Sequence, residues 1–519
     1  MTPSNAANES VDIGALCSSK LSGCAVILAE DERRELSADI AGDAPAVPAA
    51  IVRPATHDQV TNLVRLAAEH GIALFPKGGG WSYTSGFAPT TPRAVLVDMT
   101  LVKGIALDRD TGTVTAGAGV TWGELYDHLD AEGLRVPSFG PLSGLAATVG
   151  GLAAQNGGFF GAAAHGLIGD GSVTGARVVD GLGGTRDLSI DDRVDGGRAP
   201  QPLVGDCGAF GIKTAVTFAV MQRPSATRCG SFAFPDAASA LAVLSQLCGR
   251  EGVGEAFVFD PGTHANMAET GFSLKEASAI AGDLIAADGT IGERMRGLVR
   301  TAAAGPAFMR SLRWSLHVTL DGGHAAALAV EAEAMANAAG GRVIPDTIPR
   351  VLRARPFRSV KALLGPVGEL WLPCHGVIAA HDVVALMARL QQAIVDIQTE
   401  MTLHQIRIAV MAVAVGKSVI VEPQFFWLDA LQPIHRRLAT PHQVATYAMR
   451  PPRAAARAAV HRLRRTVIES LDSAGAHHIQ IGRTYAGHSG VNRQTVARWR
   501  AIKEDFDPEN IMNPGVLGL

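Results

Sequence analysis

The residues best placed for chemistry stand in the run Phe75-Pro76-Lys77-Gly78-Gly79-Gly80-Trp81-Ser82-Tyr83-Thr84-Ser85-Gly86. Three adjacent glycines cost backbone entropy on folding, so a fold keeps them for what glycine alone permits. Without Cβ atoms, successive N–H groups can converge on one anion. Ser82 and Thr84 add hydroxyl donors, and Lys77 adds a positive charge. Together these suit a diphosphate; the same stretch also reads as a tight surface turn. It is not a P-loop, in which the lysine follows the glycines; here Lys77 precedes them. Nor is it the dinucleotide fingerprint Gly-x-Gly-x-x-Gly. Gly117-Ala118-Gly119-Val120-Thr121-Trp122-Gly123 comes near that pattern, but its third glycine falls one residue late.

Two further segments are rich in small residues. Gly140 to Gly158 contains Thr148-Val149-Gly150-Gly151 and then Gln155-Asn156-Gly157-Gly158. There the backbone can approach a flat ligand, and two amide side chains offer donors and acceptors. The third segment, Gly205-Asp206-Cys207-Gly208-Ala209-Phe210-Gly211-Ile212-Lys213-Thr214, precedes a β-rich run, Ala215 to Val220. Three such loops are more than turn chemistry requires.

The elements that must carry the loops read as follows. Residues 49–53 form a strand ended by Pro54. Thr56 N-caps a helix bearing Val60, Leu63, Val64 and Ala67 at helical spacing, and Gly71 closes it. The apolar strand Ile72–Phe75 then delivers the glycine loop, completing a β-α-β unit. A strand over 94–99 and a hairpin over 105–117 follow, and Thr121 caps a helix. From 223 to 460 strand and helix patterns alternate. Strands are expected over 228–234, 255–260, 312–320, 369–376, 406–415 and 419–427, with helices over 236–247, 323–338 and 382–395. Residues 1–45 read as an extension packed loosely on the first domain.

Composition narrows the class. The 519 residues are 47% hydrophobic and 18% charged, with a net charge of −3, which is ordinary for a globular protein and shows no nucleic-acid signature. At about 150 residues per domain the length implies several units. Six cysteines are scattered without a C-x-x-C, as expected of free thiols in a reducing compartment. No signal peptide and no membrane span are read, so a cytoplasmic protein is expected. The basic stretch 450–465 reads either as a solvated helix face or as a docking site for an acidic partner or membrane surface.

Lys77 to Gly86, then Thr-Val-Gly-Gly with Gln-Asn-Gly-Gly, then Gly-Ala-Phe-Gly-Ile-Lys-Thr, together with the ending Ile502-Lys503-Glu504-Asp505-Phe506-Asp507-Pro508-Glu509-Asn510-Ile511-Met512-Asn513-Pro514-Gly515, resemble the vanillyl-alcohol oxidase / p-cresol methylhydroxylase (PCMH) superfamily. The resemblance covers roughly 48–222 and 475–519. It implies an α+β fold: a two-part PCMH-type FAD-binding domain over 46–222, an α/β cap with an antiparallel sheet over 223–460, and a segment over 461–519 that returns to the FAD domain. It assigns the FAD diphosphate to Lys77, Gly78, Gly79, Gly80, Trp81 and Ser82. The ribityl chain and isoalloxazine fall to Thr148, Gly150, Gly151 and Asn156, and the adenine side to Gly211 and Ile212. Asn513 is carried over as a cofactor residue from the C-terminal motif. Family members with flavin attached from the first loop carry His where Trp81 stands, and others use Cys in the next loop, where none occurs between Gly140 and Gly151. A noncovalent FAD is therefore expected, unless a cap histidine makes the link.

The resemblance also implies the reaction. A small alcohol, either a 2-hydroxy acid or a phenolic or other aromatic alcohol, passes hydride to flavin N5, with a base near the hydroxyl. His375 from the cap and Arg483, Tyr485 and His488 from the segment His477–His488 are the catalytic candidates, with His317, His404, Arg407 and Glu422 in second rank. No metal is expected. The electron acceptor (oxygen, quinone or carrier protein) stays open, as does a homodimer. The competing reading is a nonenzymatic FAD-binding protein with a degenerate substrate site.

Overall fold

The computed structural model describes residues 11–190, 202–269, 307–354, 356–357, 364–485 and 493–519. The β-α-β unit forms as the residue pattern requires. Thr56 Oγ1 accepts from the Gln59 N–H at 3.2 Å, satisfying a donor that the first helical turn leaves over. The helix His57–His70 buries Val60, Leu63, Val64 and Ala67, and Gly71 ends it in the left-handed region at φ 59°. Ala73–Lys77 then pairs in parallel with Ala94–Asp98, which pairs in parallel with Ala50–Arg53. Strands covered on both faces read as unbroken apolar runs, and Ala94–Asp98 is buried throughout. Arg53, Lys77 and Asp98 thus meet at the ends of three strands, where the glycine loop begins.

The segment before residue 45, expected as a loose extension, is built into this unit. Ala25–Ile27 adds an antiparallel strand beside Ala50–Arg53. Cys17 is fully buried, and the Ile40 N–H donates to Ser82 O at 2.9 Å. Each element there is short, with three residues in the strand and eight in either helix. Such pieces show little periodicity and take their order from tertiary contacts.

A second sheet is antiparallel, in the spatial order Ile105–Asp108, Thr113–Gly117, Ile212–Ala219, Val173–Val179, Thr185–Ser189. The cap holds a larger antiparallel sheet built on Thr227–Phe234, Trp314–Asp321, Val253–Phe259, Arg407–Val415 and Ser418–Trp427. Directly opposed residues share a face. One row reads Phe232, Leu316, Val258, Ala412 and Val421. That face lies under the helices Ala237–Leu247, Ala325–Ala338, Val383–Asp396 and Ala454–Ser473. The neighbouring row, Ser315, Phe259, Met411 and Glu422, belongs to the other face. The protein is α+β, and no helix among the described residues is long and apolar enough to cross a membrane.

The helix Ala454–Ser473 runs through residue 460, where a domain boundary was expected. Three of its arginines are held within the chain: Arg457 pairs with Asp429 at 2.9 Å, Arg462 with Glu400, and Arg464 is buried, while Arg465 is exposed. The C-terminal return is anchored by Lys503, whose Nζ donates to Ala209 O, Asp507 Oδ2 and Met512 O at 2.6 to 2.8 Å.

A buried ion network joins the two large domains. Arg353 pairs with Glu255 at 2.6 Å and with Asp321, which also pairs with Arg135 at 3.0 Å. The Gly161 N–H donates to Glu255 at 2.8 Å. Arg353→Met leaves two buried carboxylates facing one guanidinium. Breaking such a pair from one side costs about 3–5 kcal/mol. The urea midpoint is expected to fall accordingly, and an unchanged midpoint would show that the network carries no stability.

Candidate active site

The first two glycine-rich loops are in contact. A Cβ built on Gly78 would stand 2.3 Å from Thr148 Oγ1, and one on Gly79 only 1.8 Å from Ala146 O. Gly80 has φ 80°, open to glycine and strained for other residues. The third loop locks on from behind. Gly205 and Cys207 N–H donate to Ala153 O and Ala154 O at 2.8 Å, and a Cβ on Gly208 would lie 2.5 Å from Pro76. Small residues are thus required where three backbones converge.

This arrangement fits a diphosphate. Among the described residues, no hydrogen bond uses the N–H of Gly78, Gly79, Gly80, Trp81, Ser82 or Tyr83. Successive unpaired N–H groups beside a cation form an anion nest. Trp81 Nε1 and Thr84 Oγ1 are also buried without partners. Lys77 is buried beside Asp98 at 3.8 Å. Burial pushes its ammonium down to about 8; Asp98 opposes that shift, while Arg437 and Arg53 add to it. For Asp98, burial acts upward but is outweighed by Lys77, Thr100 and Arg53, so its carboxyl is held below the usual range.

The other expected cofactor residues have structural engagements. Thr148 Oγ1 accepts from the Gly151 N–H at 3.2 Å. A Cβ on Gly150 would lie 2.6 Å from Ala118 Cβ. Asn156 ends the helix Val149–Gln155 at φ 51°, and its Oδ1 accepts from the Gly169 N–H at 3.0 Å. Gly211 packs on Val179 O, and Ile212 is buried in the strand pair with Val179. Asn513 Nδ2 donates to Gly86 O at 2.7 Å and Cys207 O at 2.6 Å, tying two loops to the C-terminus.

The catalytic candidates divide. Arg483 acts as a loop clamp: its guanidinium donates to Ser85 O and Gly86 O at 3.0 and 3.3 Å, and to Asn513 Oδ1 and Pro514 O at 2.7 and 2.9 Å. His488 lies outside the described residues. His375 and Tyr485 are brought together. The strand expected over 369–376 breaks after Pro373 and resumes at Gly376, which leaves His375 between two strands. The His375 N–H donates to Tyr485 Oη at 2.9 Å. His375 Nε2 meets Ile479 O at 2.8 Å and so carries the proton, leaving Nδ1 to accept from Tyr485 Oη at 3.0 Å. Burial, with His478 adding to it, lowers the His375 imidazole to about 3. His478 stacks on Tyr485, with ring centroids 4.0 Å apart, and reaches His375 O at 2.7 Å and Asp472 Oδ1 at 2.6 Å.

In front of this buried layer stand Tyr83, Trp371, Glu422 and Gln424, all half-buried. Tyr83 Oη lies 3.5 Å from both His375 Nδ1 and Glu422 Oε2, and its ring meets Trp371 edge-on at 5.9 Å. Glu422 Oε1 accepts from Gln424 Nε2 at 2.7 Å. Burial pushes the Glu422 carboxyl up to about 7, against the Gln424 and Tyr83 hydrogen bonds. Arg464 stands close by, but donates to Pro373 O at 2.8 Å and Tyr83 O at 2.9 Å. Of the second rank, only Glu422 reaches this group. His317 is enclosed between Ser231 and Ser315, Arg407 is paired with Glu369, and the His404 carbonyl accepts from Arg453. Tyr83 is not among the catalytic candidates read from the sequence; it stands inside the glycine motif. The signal for Glu422 was a carboxylate within the apolar strand Ser418–Trp427.

Residues 48–189 match the family described as FAD binding domain. Residues 223–517 match the family described as FAD linked oxidases, C-terminal domain. The chain is 32% identical over 180 residues to xylooligosaccharide oxidase of Thermothelomyces thermophilus, covering 35% of each chain. It is 27% identical over 211 residues to alkyldihydroxyacetonephosphate synthase of Trypanosoma brucei brucei, covering 40% of this chain and 34% of that one. The chain thus matches about a third of the length of these curated relatives. Among solved structures, p-cresol methylhydroxylase with substrate bound aligns at TM-score 0.67 and 16% identity, covering 95% of this chain and 94% of that chain, which is a likeness of fold.

Proposed function

Because the chain belongs to the FAD-linked oxidases with a PCMH-type FAD-binding domain, we propose that it oxidises a small alcohol without a carboxylate, phenolic or otherwise neutral, at the face formed by Tyr83, Trp371, Glu422 and Gln424. FAD, when bound, supplies the hydride acceptor. One observation supports this substrate class most directly: the half-buried carboxyl of this face is Glu422, and among the described residues no cation pairs with it. Arg464 donates through Nε and Nη2 to the carbonyls of Pro373 and Tyr83, and Arg483 through both terminal nitrogens to loop carbonyls and Asn513. A substrate carboxylate would meet Glu422 in a poorly solvated site, and like charges repel strongly there. A neutral hydroxyl suits the same group, because a carboxyl with a pKa near working pH is an effective base. In this reading Glu422 takes the hydroxyl proton and Tyr83 orients the oxygen. His375 and Tyr485, both buried, position Tyr83 rather than touch substrate. Trp81 and the cysteine-free loop Gly140–Gly151 support a noncovalent FAD.

The test is anaerobic mixing of the yellow protein with neutral alcohols, phenolic alcohols and 2-hydroxy acids. Bleaching by the first two groups alone is expected, and bleaching by hydroxy acids alone would sink the substrate assignment. Acid precipitation is expected to release the colour into the supernatant; a yellow pellet would show a covalent link.

A further inference from the structure

The glycine loop faces a cation that the sequence places far away. Arg437 belongs to the cap helix Pro433–Leu438, which packs against Glu30–Ser37 of the first domain. Both terminal nitrogens of its guanidinium are buried, and neither has a hydrogen-bond partner. A Cβ built on Gly80 would stand 3.0 Å from Arg437 Nη2 and 3.6 Å from Lys77 Nζ. The glycine turn therefore has Arg437 and Lys77 against one side, with the unpaired N–H groups of residues 78–83 in the same loop.

The local charges do not balance. Arg53, Lys77 and Arg437 gather around Asp98. Asp98 Oδ2 already accepts from Arg53 at 3.0 Å, and its Oδ1 accepts from Thr100 N–H and Oγ1. Glu35, half-buried, acts on Arg437 through space, without a hydrogen bond. A buried guanidinium with idle donors is costly unless an anion meets it. Its planar fork matches two phosphate oxygens.

We propose that Arg437 is a cofactor-binding residue: it closes on the FAD diphosphate from the cap side, while the N–H groups of residues 78–83 hold it from the other. This rests on the glycine loop being the diphosphate cradle. It makes cap docking and cofactor retention one event, because the clamp comes from the substrate domain and not from the FAD-binding domain alone.

The test uses the holoenzyme and reads flavin release by recovery of flavin fluorescence. In R437Q the dissociation rate is expected to rise about 10- to 100-fold, the range for losing hydrogen bonds to a charged group. In R437K, which keeps the charge but not the fork, the rise is expected to be smaller. Circular dichroism checks that both variants are folded. Should R437Q be folded and release FAD at the wild-type rate, the proposal is overturned. The same holds if R437Q keeps its flavin but loses affinity for inorganic phosphate measured on the holoenzyme, which would make this an anion site separate from the cofactor. Gly79→Ala separates the two layers: flavin loss in that variant with normal retention in R437Q removes only the Arg437 clamp, whereas normal retention in both removes the cradle as well.

Discussion

Replacing Glu422 with glutamine is expected to slow flavin reduction by about 10²- to 10⁴-fold, the usual contribution of a general base, without loss of bound flavin. Glutamine keeps the shape and can still meet Gln424 and Tyr83, so the change removes a proton acceptor and little else. The pH dependence adds a second signature. The Glu422 carboxyl is pushed up to about 7, so in the wild type the reductive rate should climb as pH rises through that value, and E422Q should lose this limb. Stability moves the other way. A carboxyl whose folded pKa exceeds its ordinary 4.5 makes its full contribution below that ordinary value and loses it as pH rises through about 7. E422Q should therefore match wild type in melting temperature near pH 4 and exceed it near pH 8. A wild-type reductive rate in E422Q would remove Glu422 as the base.

Gly79→Ala is expected to abolish flavin retention. The added Cβ would stand 1.8 Å from Ala146 O, a backbone atom that no rotamer change can move. Either the first loop or the loop Ser143–Thr148 has to shift by an ångström or more. Overpacking of this kind costs about 1–3 kcal/mol and sometimes more, and here the strain falls on the N–H groups that must converge. Gly171→Ala serves as the control, because a Cβ there meets nothing within 4 Å. Colourless G79A beside yellow G171A is the expected pair, and a yellow G79A with normal flavin content would mean that the loops do not hold the cofactor as described.

The elements around the glycine-rich loops were legible because their signals are local. Thr56 and Gly71 bracket the helix His57–His70 as cap residues should. The hairpin turn lies between Ile105–Asp108 and Thr113–Gly117, as its residues suggest. The cap strands Arg407–Val415 and Ser418–Trp427 pair as the two apolar runs imply. What escaped the reading is long-range. Arg483 looked catalytic because a guanidinium beside a tyrosine suits an anion, yet its hydrogen bonds go to loop carbonyls and to Asn513. The early segment looked loose because no run there is long enough to show a period, although Ile40 and Cys17 are core residues.

By itself the sequence determined the glycine-rich turn proposed as the cradle and the strands that deliver it. Consecutive glycines beside a strand end make a backbone property, and neighbours in the chain suffice to specify one. Only the tertiary structure decided which side chains stand over that cradle. Glu422 and Tyr83 are 339 positions apart. Arg437 and Gly80 come from different domains, and a one-residue slip in the strand register of the cap would point Glu422 into the helices instead. Such meetings depend on how sheets stack and domains dock, and no spacing along one chain records that.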